Sequence, residues 1–89
     1  MVAKQVHITG RVQGVGFRAW TLEQAQGLGV SGWVRNRPDG SVEAVVSGSR
    51  NSVEALITAL HEGPPAALVE HVRVGDAEVP AAPGFHIDR

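Results

Sequence analysis

Apolar residues recur along this chain first with the period of a strand and then with the period of a helix. Val6 and Ile8 alternate with polar neighbours, which is the two-residue repeat of a half-buried strand. After a glycine-rich stretch, apolar side chains recur at helical spacing over residues 17–28, where glycines then weaken and end the helix. The predicted elements, in order, are a strand around residues 6–9, a helix over 17–28, strands over 30–36 and 42–46, a helix between Asn51 and Gly63, a strand over 68–74 and a short strand at 85–87.

Turn and capping signals support these boundaries. The segment 38–41, Pro-Asp-Gly-Ser, is typical of a tight turn, because proline fixes φ, aspartate binds local amides and glycine accepts a positive φ. Strands 30–36 and 42–46 should therefore form a hairpin. Asn51, with Glu54 three residues later, has the spacing of a capping box at the start of the second helix. The residues predicted to form the buried stripe of that helix are Val53, Leu56, Ile57 and Leu60.

The order of elements, β-α-β-β-α-β, is that of the ferredoxin-like split β-α-β arrangement. It predicts an α+β two-layer sandwich with an antiparallel sheet and two helices on one face of it. Apolar residues make up 43% of the 89 residues, which suffices for one core, and no linker or repeat divides the chain. We therefore expect residues 1–89 to be a single domain. Because this fold carries many functions, the function must be argued from a site.

Composition and charge narrow the choice of function. The formal net charge of −1 provides no basic field of the kind that attracts nucleic acid. No apolar run approaches the roughly 20 residues that span a membrane, and residues 1–5 do not resemble a signal peptide. Cysteine is absent, and the histidines and carboxylates lack metal-ligand spacing. We expect a cytoplasmic monomer without metal or cofactor and without membrane or nucleic-acid partners.

Candidate chemistry is concentrated in residues 10–18, Gly-Arg-Val-Gln-Gly-Val-Gly-Phe-Arg. Three glycines lie between a predicted strand and a predicted helix. Free amide N–H groups and the positive end of a helix converge in such a loop and favour an anion. Arg18 adds a planar cation where the loop meets the helix. Taken alone, the loop fits a tight strand–helix turn as well as it fits a phosphate site, and its spacing matches neither the dinucleotide-binding nor the Walker pattern.

Two parts of the chain together resemble the two signatures of the acylphosphatase family. The first is residues 10–18. The second consists of Gly32-Trp33-Val34-Arg35-Asn36 followed by Asp39-Gly40-Ser41-Val42-Glu43. The resemblance implies hydrolysis of the carboxyl–phosphate bond of acyl phosphates without a metal or a covalent intermediate. It assigns Arg18 to the phosphoryl oxygens and Asn36 to the attacking water. The residues whose main chain is expected to cradle the phosphoryl group are Gln13, Gly14, Val15, Gly16, Phe17 and Arg18.

Some positions and alternatives stay open at the level of the sequence. Arg37 stands where many acylphosphatases have a small polar residue, so a supporting role at that position is in doubt. Arg35 and Arg37 are predicted to be surface charges, and Glu43 receives no catalytic role. The partner is expected to be a small acyl phosphate, with inorganic phosphate or sulfate able to occupy the site. The alternatives are a non-catalytic phosphate- or acyl-phosphate-binding module and an RNA-binding ferredoxin-like domain, which would need exposed sheet aromatics and a basic face.

Overall fold

The computed structural model describes residues 1–88 and contains each of the predicted elements. Strand ends differ from the predicted ones by one or more residues, as is usual where a pattern fades into a turn. The elements are β1 (Val2–Arg11), α1 (Phe17–Leu28), β2 (Ser31–Asn36), β3 (Val42–Gly48), α2 (Arg50–Glu62), β4 (Leu68–Asp76) and β5 (Phe85–Ile87).

The strands form one sheet in the order β4-β1-β3-β2-β5. The first four strands in that order pair antiparallel, as the split β-α-β arrangement predicts. The short strand β5 pairs parallel with β2, with Gly32 opposite Phe85 and Val34 opposite Ile87. The complete sheet is therefore mixed. The consequence for the site is that β5 runs beside the last residues of β2.

The core lies between one face of the sheet and the two helices. Alternate residues of β1 and β3 face the helices, which explains the two-residue repeat in the sequence. The most deeply buried members, each at most 3% exposed, are Val6, Ile8, Val12, Phe17, Ala25, Val30, Val34, Val42, Ala44, Val46, Val53, Leu56 and Leu60. Of the stripe predicted for α2, Ile57 is only half-buried, at the edge of this cluster.

The N-terminal cap of α2 is Ser49, so the prediction of Asn51 at that position is wrong. The Ser49 backbone is extended, and its Oγ accepts a hydrogen bond from the N–H of Ser52 at 3.2 Å. Asn51 is exposed within the first turn. Serine and asparagine are comparable caps, and both have a polar residue three positions later, so the sequence contained two overlapping cap signals. The helix ends at Gly63 as predicted, with the Gly63 N–H bonded to the carbonyl of Ala59.

Candidate active site

One open cavity of about 590 Å³ lies where the glycine-rich loop, the start of α1, the end of β2 and strand β5 meet. Arg18, near the start of α1, and Asn36, at the end of β2, both line it. Val15 does not line the cavity, because its side chain packs against the core. The lining residues are Val12, Gln13, Gly14, Gly16, Phe17, Arg18, Ala19, Asn36 and Ile87.

The loop is anchored at both ends and open in the middle. The side chains of Val12 and Phe17 are buried in the core, at 1% and 2% exposure. Between them, Gly14 and Gly16 have left-handed backbones, with φ of 73° and 79°, which residues with a Cβ rarely adopt. Apart from the glycine and its two neighbours in the chain, no described atom lies within 4 Å of the place where a Cβ would stand at Gly14 or Gly16. The main chain is therefore bare toward the cavity.

The first turn of α1 presents unused donors to this cavity. The first helical hydrogen bond joins the Trp20 N–H to the Gly16 carbonyl at 3.0 Å. The N–H groups of Phe17, Arg18 and Ala19 therefore have no acceptor within the helix. Gly16 provides no capping side chain, and the first turn contains no acidic residue. The positive end of the helix dipole is thus left uncompensated at the cavity wall, which favours an anion there.

Arg18 lines the cavity with a half-buried side chain. The ion pairs among residues 1–88 join Lys4 to Asp76 and Glu43 to two other arginines, and none involves Arg18. Its guanidinium is therefore available as a planar, bidentate donor for a tetrahedral anion.

Asn36 is the last residue of β2, and its amide oxygen is the second unpartnered group at the cavity. The Oδ1 atom is buried and has no hydrogen-bond partner among residues 1–88. An unmet buried acceptor costs about 1–3 kcal/mol, and such groups are uncommon in folded proteins. The geometry leaves this oxygen able to accept a hydrogen bond from a molecule in the cavity, such as water.

The arginines on either side of Asn36 are not free surface charges but partners of Glu43. Arg35 and Arg37 reach Glu43 Oε1 at 2.8 and 2.9 Å, and the Gln5 amide donates to Oε2 at 2.9 Å. Burial raises the pKa of Glu43, but the hydrogen bonds from Arg35, Gln5 and Arg37 lower it more, so the pKa lies below the ordinary glutamate value. The carboxylate therefore joins β1, β2 and β3 on the sheet face opposite the helices.

The turn between β2 and β3 has the predicted chemistry. Asp39 Oδ1 accepts the Ser41 N–H at 2.9 Å and the Ser41 hydroxyl at 2.5 Å, and these bonds lower the pKa of Asp39. The His7 Nε2 atom lies 2.8 Å from the Ser41 Oγ. Because the single hydroxyl proton goes to Asp39, His7 is the donor in that bond.

Sequence reasoning missed Val12, Ala19 and Ile87 as cavity residues. Ile87 forms part of an apolar wall and is 37% exposed. Its signal in the sequence was only the short pattern at 85–87, and its place depends on the parallel pairing of β5 with β2. Periodicity alone does not reveal the partner of a three-residue strand.

Two other findings concern metal and membrane. Within residues 1–88, no three His, Asp or Glu side chains are grouped so as to hold a metal ion. None of the helices in the same range is long and apolar enough to cross a membrane.

Fold and cavity together define a class of protein. It is a ferredoxin-like α+β protein in which main-chain donors surround one cavity together with an arginine and an amide oxygen, neither of which has a partner among residues 1–88. The family model for acylphosphatase matches residues 4–87. An acylphosphatase of Rhizorhabdus wittichii is 51% identical over 94% of this chain and 85% of its own length. The chain belongs to the acylphosphatase family.

Solved structures agree with this assignment. The crystal structure of acylphosphatase from Bacillus subtilis superposes with a TM-score of 0.95 over the whole of both chains, at 32% identity. An acylphosphatase from Coxiella burnetii gives a TM-score of 0.93 at 37% identity, covering 98% of this chain and 92% of that one. The predicted two-layer α+β fold is confirmed.

Proposed function

We propose that this protein hydrolyses acyl phosphates at the cavity by direct attack of a water molecule on phosphorus, without a metal ion. The reaction class follows from membership of the acylphosphatase family. The observation that carries the assignment to this cavity is that Arg18, which forms no ion pair within residues 1–88, and the Asn36 oxygen, which has no hydrogen-bond partner there, line the same space as the glycine-rich loop.

In the binding step, the phosphoryl oxygens of the substrate accept hydrogen bonds from loop amides and from Arg18. The residues proposed to supply main-chain donors are those from Gln13 to Arg18, including Val15, whose side chain faces the core. A fork of parallel N–H donors matches two oxygens at once, which a lysine ammonium does not. Phosphoryl transfer depends mainly on such positioning and on neutralising charge on the equatorial oxygens.

In the chemical step, the oxygen of water forms a bond to phosphorus while the bond from phosphorus to the acyl oxygen breaks. The electron pair of the broken bond leaves on the carboxylate, a good leaving group that needs little acid assistance. Asn36 Oδ1 accepts a hydrogen bond from the water and so directs a lone pair of the water oxygen at phosphorus. Because an amide is not a base at neutral pH, the water transfers its proton to a phosphoryl oxygen of the substrate.

The alternative of a non-catalytic binding module is not favoured. The curated relatives bear the name of the enzyme and align with this chain over most of their own length. The RNA-binding alternative is weakened by the paired charges on the open sheet face, where Glu43 offsets Arg35 and Arg37. The partner of the protein is a small acyl phosphate.

We further propose that the protein works as a cytoplasmic monomer that takes up inorganic phosphate or sulfate in the same cavity and engages neither nucleic acid nor membrane. The net charge of −1 supports the proposal that the protein does not bind nucleic acid. Sedimentation equilibrium and filter retention of RNA at low and high salt would test it. A dimer, or salt-sensitive RNA retention, would contradict it.

The test of the function is hydrolysis of benzoyl phosphate in the presence of EDTA, where we expect full turnover. Arg18→Ala should weaken substrate binding and lower kcat together, since the guanidinium serves the ground state and the transition state. Asn36→Ala should lower kcat while inorganic phosphate still binds. Wild-type activity in Arg18→Gln, or loss of turnover with EDTA, would refute the scheme.

A further inference from the structure

The side chain of Gln13 ties the glycine-rich loop to the turn that follows Asn36. Its Nε2 atom donates to the carbonyl of Arg37 at 2.8 Å and to the carbonyl of Ser41 at 2.8 Å. Both protons of the amide are thereby used. Within the described residues, these are the hydrogen bonds that connect residues 12–16 with residues 37–41.

The turn that receives these bonds is itself fixed. The Arg37 N–H donates to the Ser41 carbonyl at 2.9 Å, and the Gly40 N–H donates to the Arg37 carbonyl at 3.1 Å. Asp39 closes the turn through its bonds to Ser41. The two carbonyls held by Gln13 are therefore rigid reference points, and the first of them belongs to the residue directly after Asn36.

The loop has little else to set its position relative to β2. Its glycines permit many backbone conformations, and Val12, Val15 and Phe17 attach it to the core through apolar side chains that form no hydrogen bond with the turn at residues 37–41. Under the proposed mechanism, the loop holds phosphorus and Asn36 holds the water. A misplacement of about 1 Å between reacting groups can cost about 100-fold in rate.

We propose that Gln13 is a positioning residue, whose side-chain amide fixes the distance between the phosphate-holding loop and Asn36 so that the water stands in line with the leaving group. This inference rests on the proposed function. It differs from the role of the Gln13 main chain, whose N–H is one donor of the cradle, because the side chain points to the turn and not to the substrate.

The test uses Gln13→Met, which keeps the length of the side chain and removes both donors. We expect kcat for benzoyl phosphate to fall about tenfold or more, while the inhibition constant of inorganic phosphate changes by less than about threefold. Gln5→Met is the matched control, because its amide also bonds across strands, to Glu43, but does not line the cavity. It should retain the wild-type kcat.

A double-mutant cycle separates positioning from general destabilisation. In an Asn36→Ala background, where no side chain aims the water, Gln13→Met should change the residual kcat by less than about twofold. The inference would be overturned if Gln13→Met lowered kcat equally in the wild-type and Asn36→Ala backgrounds, or if it left kcat unchanged in the wild-type background. It would also be overturned if the loss of phosphate affinity were as large as the loss of kcat. Should Gln13→Met not fold, Gln13→Leu also removes both donors without adding a charge, Gln5→Leu is its matched control, and the same outcomes decide. A wild-type protein that does not hydrolyse benzoyl phosphate would instead refute the proposed function.

Discussion

Replacing Asn36 with leucine should make the protein more stable and nearly inactive. Leucine has the same branched skeleton as asparagine, with methyl groups in place of the amide oxygen and nitrogen. The change therefore removes the buried Oδ1, which lacks a hydrogen-bond partner among residues 1–88, without deleting volume. Since Asn36 borders the open cavity, the added methyl groups have room.

The expected magnitude follows from the cost of an unmet buried acceptor, about 1–3 kcal/mol. Part of the side chain remains accessible, so the lower end, about 1 kcal/mol of added unfolding free energy, is the reasonable expectation. For a domain of this size that corresponds to a rise in Tm of about 4–8 °C. The loss of the water-aiming group should lower kcat by at least about 100-fold, or about 2.7 kcal/mol in the activation free energy.

Urea unfolding followed by the fluorescence of Trp20 and Trp33 measures the stability, and benzoyl phosphate hydrolysis measures kcat. The matched control is Ser47→Ala. The Ser47 Oγ is also buried and also without a partner in the described part of the chain, but Ser47 does not line the cavity. This variant should gain stability without losing activity.

Two results would refute the reasoning. If Asn36→Leu lost more than about 1 kcal/mol while Ser47→Ala gained stability, the Asn36 amide would serve the fold and not a ligand. If Asn36→Leu kept the wild-type kcat, the proposed placement of the water would be wrong, whatever the stability.

Three further predictions concern the core, the pH dependence and the loop. Leu56→Ala should lower the free energy of unfolding in urea by about 2–5 kcal/mol, because the leucine side chain is fully buried. Ile57→Ala should cost less, because Ile57 is only half-buried. A loss well under 1 kcal/mol for Leu56→Ala would contradict this prediction. Because the folded pKa of Glu43 is lowered, its stabilising effect is present above the unfolded glutamate pKa of about 4.3 and is lost as pH falls through the folded value. The stability of the wild type should therefore decline more steeply below that pH than the stability of Glu43→Gln, and parallel acid profiles would contradict it. Gly16→Ala should lower the free energy of unfolding by about 1–2 kcal/mol, because Gly16 has a positive φ that alanine adopts only with strain. It should also weaken phosphate binding in calorimetry, because the added Cβ would enter the open space beside the loop. Unchanged phosphate affinity would argue against the proposed cradle.

The sequence predicted the order and type of the elements because each one has a distinct apolar period or a strong turn signal. Two signatures, and not one glycine-rich loop, carried the resemblance that singled out Arg18 and Asn36, and these two residues line one cavity; their roles stay a prediction. The sequence did not predict the parallel pairing of β5, since a three-residue strand has no period to analyse. The contribution of Ile87 to the cavity therefore appeared only with the sheet order.

Side-chain partnerships were also beyond the sequence. Arg35, Arg37 and Glu43 lie on one face of neighbouring strands, and the register places Arg35 directly opposite Glu43. Nothing in the linear order distinguishes that pairing from two solvated arginines. The prediction of the α2 cap was wrong for a different reason, because Ser49 and Asn51 are both good capping residues and lie two positions apart.

Of the two buried side-chain atoms without a partner in residues 1–88, the Oδ1 of Asn36 lies at the cavity, where the proposed chemistry needs an acceptor, and the Oγ of Ser47 lies away from it. Elsewhere in residues 1–88, Glu43 pairs with two arginines, Asp39 accepts a hydrogen bond from the main chain of its turn, and Ser49 caps α2. At the cavity, and within the same residues, the first turn of α1 has no side-chain cap, Arg18 forms no ion pair and Asn36 Oδ1 has no donor. A phosphoryl dianion would accept hydrogen bonds from the first turn of α1 and from Arg18, and a water molecule would donate a hydrogen bond to Asn36 Oδ1. The fold thus tolerates a local cost in stability that ligand binding would remove, and the side chain of Gln13 keeps the two halves of that arrangement at a fixed distance.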